Sequence, residues 1–126
     1  MKAGDALPAF EKTFTAVDLF AYGAATWDWH RMHYDGEYAR SKGFPGPVID
    51  GQMYGAVFAS VAMKWAGPRG FVTKMSLRMK SMAFAGDTLR AEGTVKAVEE
   101  KRVVLEQRLM NGERVIAECT TSLSLR

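Results

Sequence analysis

From Gly51 to Trp65 the chain is apolar almost all round a helical wheel, with Gln52, Ser60 and Lys64 as its clearly polar positions. That pattern predicts a helix enclosed by protein, and Asp50 stands where its N-cap belongs. Beyond this stretch the period changes. Phe71, Met75, Leu77 and Met79 alternate with Lys74, Ser76, Arg78 and Lys80, a period of two that predicts a strand with one buried face. Gly86-Asp87 marks a turn, after which Leu89, Ala91, Val95 and Ala97 alternate with Arg90, Glu92, Thr94 and Lys96. Arg102 to Met110 and Glu113 to Leu125 flank Asn111-Gly112, which predicts a two-residue hairpin because both positions tolerate positive φ.

The first half reads as helices and turns after a short strand. Thr15 followed by Asp18, with Val17, Phe20, Ala21 and Ala24 at helical spacing, predicts a capped helix ending near Thr26. A second helix is expected from about Gly36 to Lys42, with Asp35 as N-cap, Glu37 in its first turn and Gly43 as its stop. Phe44-Pro45-Gly46-Pro47 cannot continue it, since proline lacks an N–H and restricts the residue before it. The expected order is a short strand, helices, one long buried helix and four long antiparallel strands, all within one domain, 1–126. This is an α+β architecture in which a sheet covers a central helix. A sheet edge left open in that way predicts a homodimer.

Composition narrows the class. With 48% hydrophobic and 25% charged residues and a net charge of +3 over 126 residues, the chain is a globular domain and not a disordered one. Its single cysteine, Cys119, excludes an intrachain disulfide and any Cys-x-x-Cys site. The segment MKAGDALPAFEKTF has no apolar run of the kind a signal or transit peptide carries, and the apolar window Met53 to Met63 is far short of the ~20 residues that span a bilayer. A cytoplasmic location away from membranes is expected. A pI near 9.1 suggests nucleic acid, but the chain lacks the aromatic-basic cluster of single-strand binders, and an anionic small molecule fits equally well.

Candidate chemistry gathers between Thr26 and Gly51, which hold both histidines, two of three tryptophans and three of four prolines. Asp28 and His33 form an acid-base pair by residue type: an imidazole titrates near neutrality, and a carboxylate can orient it or hold a water. The competing reading is that His33 packs against the second helix while Asp28 caps the first. Gly51, at the first turn of a buried helix, would expose an N–H without an intrahelical partner, able to stabilise a developing oxyanion. An acid, a histidine and a helix N-terminus together suit thioester chemistry. His30 is expected to shape the loop through a hydrogen bond. Trp27, Trp29 and Tyr34 are candidates for an acyl pocket, and Met53, Tyr54, Val57 and Phe58 divide between pocket and core. Lys74, Arg78 and Lys80 form a basic stripe that either meets coenzyme phosphates or is a solvated face. No metal site is expected, because His30 and His33 lack a third ligand at suitable spacing.

Asp28-x4-His33, Asp35, Tyr38-Ala39, Ile49-x-Gly51-x-Met53 and Ala85-Gly86-Asp87-Thr88-Leu89 together resemble the MaoC-like (R)-specific enoyl-CoA hydratase and 3-hydroxyacyl-thioester dehydratase family, from about Phe14 to the end. The resemblance implies a hot-dog fold and a reversible hydro-lyase acting on an acyl-CoA or acyl-carrier thioester, with no cofactor besides the coenzyme A of the substrate. It implies that Asp28 and His33 activate water and exchange a proton with the α-carbon while the Gly51 N–H holds the thioester carbonyl. Two departures stand out. His30-Arg31 replaces the usual Asn-Pro, giving a run similar to mitochondrial-type carrier-protein dehydratases, and Asp50 occupies a position where the family often has histidine. Two alternatives remain. One is a hot-dog thioesterase with Asp28 or Asp50 activating water. The other is a non-catalytic subunit completing a second hot-dog chain, since Trp65-Ala66-Gly67-Pro68 is similar to small subunits of heteromeric steroid-chain hydratases.

Overall fold

The computed structural model describes residues 1–126. Strand β1, Phe10–Thr13, leads into helix α1, Ala16–Thr26. The start of α1 is fixed by a reciprocal capping box: Thr15 Oγ1 accepts the Asp18 N–H at 3.1 Å, and Asp18 Oδ2 accepts the Thr15 N–H at 3.0 Å. Asp35 accepts the Tyr38 N–H and opens helix α2, Gly36–Ser41. Gly43 follows with a φ of 90° that a side chain would resist. Asp50 Oδ1 accepts the Gln52 N–H at 2.9 Å and opens helix α3, Gly51–Ala66. All three N-caps lie where the sequence places them, since each depends only on residues within three positions.

Strands β2 (Gly70–Met79), β3 (Thr88–Glu99), β4 (Arg102–Asn111) and β5 (Arg114–Leu125) form one antiparallel sheet with β1, in the order β1-β3-β4-β5-β2. Helix α3 lies against β2, β5 and β4. At its centre Phe58 and Ala62 are fully buried, Phe58 in a cluster with Leu109, Ile116 and Cys119, and Ala62 in one with Val103, Leu105 and Leu123. A polar chain crosses this interface: Thr121 Oγ1 donates to Gln107 Oε1 at 2.6 Å, and Gln107 Nε2 donates to the Phe58 carbonyl at 3.1 Å. Because every member is satisfied, the chain fixes the helix on the sheet without a desolvation penalty. The arrangement is the hot-dog fold.

Four details differ from the sequence pattern. Helix α3 is not enclosed on all sides: Gln52, Ala56, Ser60, Met63 and Lys64 are exposed, because the sheet covers only one side of it. A register shift between Val72 and Lys74 reverses the inward parity of β2, so Val72 packs against the core while Phe71 lies outside under the Arg126 guanidinium. Met79, expected inside, is the exposed end of the strand. The hairpin turn is also displaced by one residue. Asn111 pairs with Arg114, so Gly112-Glu113 makes the loop, and Gly112 alone takes a positive φ, 60°.

Replacing Phe58 by Ala should remove the largest contact between α3 and the sheet and cost about 3–5 kcal/mol of stability. Urea denaturation measures it, and a loss below about 1 kcal/mol would contradict this account of the core.

Candidate active site

The site is built on a loop that leaves α1 under constraint. Trp27 takes the left-handed conformation, φ 59° and ψ 34°, and its N–H and that of Asp28 both turn back to the Gly23 carbonyl. Gly23 is needed there, since a Cβ at that position would stand 2.8 Å from the Asp28 carbonyl oxygen. Asp28 Oδ1 then accepts the His30 N–H at 3.3 Å, folding the loop on itself. The His30 ring accepts the Met32 N–H through Nδ1 at 3.2 Å and caps a single 3-10 turn, Arg31–His33. His30 therefore shapes the loop, as expected. Arg31 ties this turn to α2 through Asp35, with Nη2 at 3.0 Å from Oδ2, and its guanidinium lies over the Tyr38 ring.

Two bonds strap this loop to the segment before α3. The Val48 N–H donates to the Met32 carbonyl at 2.8 Å, and His33 Nδ1 lies 2.7 Å from the Val48 carbonyl oxygen. A carbonyl only accepts, so Nδ1 carries a proton, and the ring turns Nε2 toward Asp50. On the other side of the segment, the Ile49 N–H donates to Ala83 and the Ala85 N–H to the Pro47 carbonyl. The Ala85-to-Leu89 run thereby acquires a physical role: Asp87 Oδ2 accepts the Phe84 N–H, and the Gly86 N–H and Asp87 carbonyl bond Phe14. It holds the start of α3 and the end of β1 together.

Asp28, His33 and Asp50 converge, with one side-chain donor or acceptor atom of each within 4.8 Å of the others. His33 Nε2 stands 3.9 Å from Asp50 Oδ2, and both side chains are mostly covered. A hydrogen bond with Asp50, reinforced by the His30 N–H, holds the Asp28 carboxyl below the usual carboxylate range. Burial, and then the hydrogen bond to Asp28, pushes Asp50 up. The sequence offers the two histidines no third partner at metal-ligand spacing, whereas folding brings the carboxyls of Asp28 and Asp50 to His33, a set that could hold a metal ion. Gly51 begins α3 beside them, and its N–H makes no hydrogen bond within the chain. A Cβ on Gly51 would run into the sulfur of Met79, so the glycine also makes room for the end of β2.

The other expected residues separate. Trp27, Trp29 and Tyr34 form an edge-to-face cluster with Phe20, ring centroids 5.7–6.2 Å apart. It faces outward, with Trp27 79% exposed. Tyr54 is core. Of the proposed pocket residues, Met53 and Val57 border a groove of about 670 Å³ that runs along α3. The groove follows Met53, Val57, Val61 and Trp65, one residue every four and so one stripe of the helix, spanning ~18 Å. Phe14 and Tyr22 complete its wall, and Lys12 and Lys64 stand at its rim. Tyr22 connects groove and site: burial raises its hydroxyl pKa, and the charges of Asp50 and Asp28 add to the effect. The i, i+4 stripe was visible in the sequence, but Tyr22 carried no such signal.

Lys74, Arg78 and Lys80 lie on the outer face of the sheet. Lys80 pairs with Glu118 there, and a hollow of about 590 Å³ among Arg78, Arg90, Glu92 and Arg108 is crossed by Arg90–Glu92 and Arg108–Glu92 ion pairs. This face is a solvated one, separated from the acid-histidine site by the sheet itself.

The description "MaoC like domain" matches residues 4–116. The chain belongs to that family. Among curated proteins, this MaoC-like chain is 29% identical over 98 residues to the mitochondrial 3-hydroxyacyl-[acyl-carrier-protein] dehydratase of Arabidopsis thaliana and 27% identical over 94 residues to the (R)-specific enoyl-CoA hydratase of Aeromonas caviae. These alignments cover 78% and 74% of the chain, and 57% and 70% of the two relatives. The chain thus spans little more than half of the plant protein. Among solved structures, a chain of the ChsH1-ChsH2 complex from Mycobacterium tuberculosis superposes with a TM-score of 0.93 at 22% identity, covering 98% of both chains. The (R)-hydratase from A. caviae superposes at 0.92 and 23% identity, covering 100% of this chain and 98% of that one. At such identities the likeness is one of fold. No helix in this MaoC-like chain is long and apolar enough to cross a membrane.

Replacing Gly23 by Ala adds a better helix former, worth about 1 kcal/mol by propensity. The close approach of Asp28 should reverse the sign, giving a net loss of about 1–3 kcal/mol. A neutral or stabilising result in chemical denaturation would show that Asp28 is not held against α1.

Proposed function

We propose that this MaoC-like chain catalyses the reversible hydration of an enoyl thioester to a 3-hydroxyacyl thioester. One observation carries the reading: Asp28 and His33, from one loop, meet at the N-terminus of α3 next to the unpartnered Gly51 N–H. In the hydration direction, water held between Asp28 and His33 gives one proton to the pair as its oxygen bonds the β-carbon. The π electrons move to the α-carbon and thioester carbonyl, and the α-carbon takes a proton from the site. The Gly51 N–H stabilises the enolate-like oxygen of that transition state, when the charge on it is greatest. Dehydration reverses each transfer. The substrate is a thioester of coenzyme A or of a carrier protein, its acyl chain lying in the groove along Met53, Val57 and Val61.

The functional unit is proposed to be a homodimer, because β2 is a ten-residue edge strand with no partner on its outer side. A second reading keeps the fold and changes the assembly: the similarity to a chain of the ChsH1-ChsH2 complex supports pairing with a second hot-dog chain. Size measurement of the chain expressed alone separates the two.

Incubation with crotonyl-CoA and a longer enoyl-CoA should bleach the enoyl absorbance without releasing thiol. Free thiol would instead support the thioesterase reading and sink hydration. Asp28→Asn and His33→Ala should each lower kcat/KM at least ~10²-fold, with unchanged far-UV circular dichroism. With Gly51→Ala as the control for a Cβ against the Met79 sulfur, Gly51→Pro removes the N–H at the one helical position where proline is well tolerated, and the φ of −62° and ψ of 129° at Asp50 suit a residue before proline. It should cost about 10²- to 10³-fold in kcat. An unimpaired Gly51→Pro enzyme would remove this N–H from the mechanism.

A further inference from the structure

Asp50 has two tasks that its two oxygens divide. Oδ1 accepts the Gln52 N–H at 2.9 Å and caps α3, while Oδ2 stands 3.9 Å from His33 Nε2, and one carboxyl oxygen lies within 4.8 Å of an Asp28 oxygen. The Asp50 side chain is 14% exposed, so water offers it little relief. Facing it are the Asp28 carboxyl from the end of α1, His33 from the 3-10 turn, Tyr22 from α1 and Tyr54 from α3 itself. Only one of these, His33, can carry positive charge. Asp28 takes its other hydrogen bond from the His30 N–H, so the two carboxyls share one histidine, and beyond it Asp50 has the Gln52 N–H as its remaining donor. An ionised Asp50 would also set a negative charge one residue from the Gly51 N–H, opposing the charge that donor is meant to stabilise.

We propose that Asp50 is a positioning residue that works as the neutral acid, donating its Oδ2–H to Asp28. In this role it keeps Asp28 ionised and aimed at the water, and it leaves the field at the Gly51 N–H unopposed. The raised Asp50 and lowered Asp28 fit one proton held on the Asp50 side. The inference rests on the hydratase reading for its catalytic consequence, but the shared proton is a property of the folded chain with or without turnover.

Two variants separate charge from hydrogen bonding. In Asp50→Asn the amide oxygen can still cap Gln52 and the NH₂ can still donate to Asp28. Asp50→Ala loses both. With enoyl-CoA as substrate, Asp50→Asn should retain kcat/KM within about 3-fold of the parent near neutral pH, while Asp50→Ala falls at least ~10-fold. The parent should lose activity as pH rises through the raised Asp50 value, and Asp50→Asn should lack that limb; limbs from other groups are common to both. An Asp50→Asn enzyme as damaged as Asp50→Ala while equally well folded would show that the negative charge itself is required, overturning the proposal. So would the same limb persisting in Asp50→Asn, or a profile moved by added Mg²⁺ or by chelator, which would put a cation in place of the proton.

If no enoyl-CoA is turned over, the hydratase reading fails and the shared proton is read from thermal midpoints. The Asp50 pKa is raised on folding, so its contribution is fully present below the unfolded value of 3.8 and lost as pH rises through the folded value. Asp50→Asn cannot suffer that loss. Relative to the parent, its midpoint should rise with increasing pH across that window, whereas a pH-independent difference would overturn the proposal.

Discussion

The strap between the 3-10 turn and Val48 is the contact on which the site depends. Through two hydrogen bonds it joins a loop hung from α1 to the segment that delivers α3, and it fixes the His33 tautomer in doing so. Without it, the histidine would turn freely on a surface loop. Apart from the His33 ring, its partners are backbone groups at Met32 and Val48, so the loop tolerates His30-Arg31 where the family's usual spelling has Asn-Pro. The stiffness that proline would provide comes here from the His30 cap on Met32 and the Arg31 pair with Asp35.

Placing the acid-histidine loop at a helix N-terminus has an electrostatic consequence. The free N–H of Gly51 is useful to a developing oxyanion only if nothing negative competes beside it. Asp50, which the helix needs as a cap, is the obvious competitor. Holding a proton on Asp50 resolves the conflict between stability and chemistry, because the neutral carboxyl still accepts from Gln52 and now donates to Asp28. Burial thus serves the site by the same effect that ordinarily makes an interior carboxyl costly.

The groove and the aromatic cluster show how surface and pocket exchange roles. Tryptophans next to a reactive aspartate suggest a pocket wall, yet the left-handed turn at Trp27 throws them outward to stack with Phe20 and Tyr34. The apolar groove lies instead on the open side of α3, left uncovered because the sheet reaches it from one direction only. The bulge in β2 has a similar effect at a smaller scale, sending Phe71 out and Val72 in.

What the sequence alone determined was the local structure: three N-caps, the extents of the helices, the positions of the turns within one residue, and the presence of an acid, a histidine and a helix-opening glycine. Each of these is set by residues within a few positions of one another, where capping and periodicity are the controlling forces. Tertiary structure decided the rest. Strand bulges depend on the register of a partner strand, and the outward turn of the tryptophans depends on Gly23 accepting Asp28 at close range. The meeting of Asp28 with Asp50, 22 positions apart, depends on a strap in which every partner but the His33 ring is a backbone atom, and backbone atoms are the same at every position, so no residue type announces where that ring will dock.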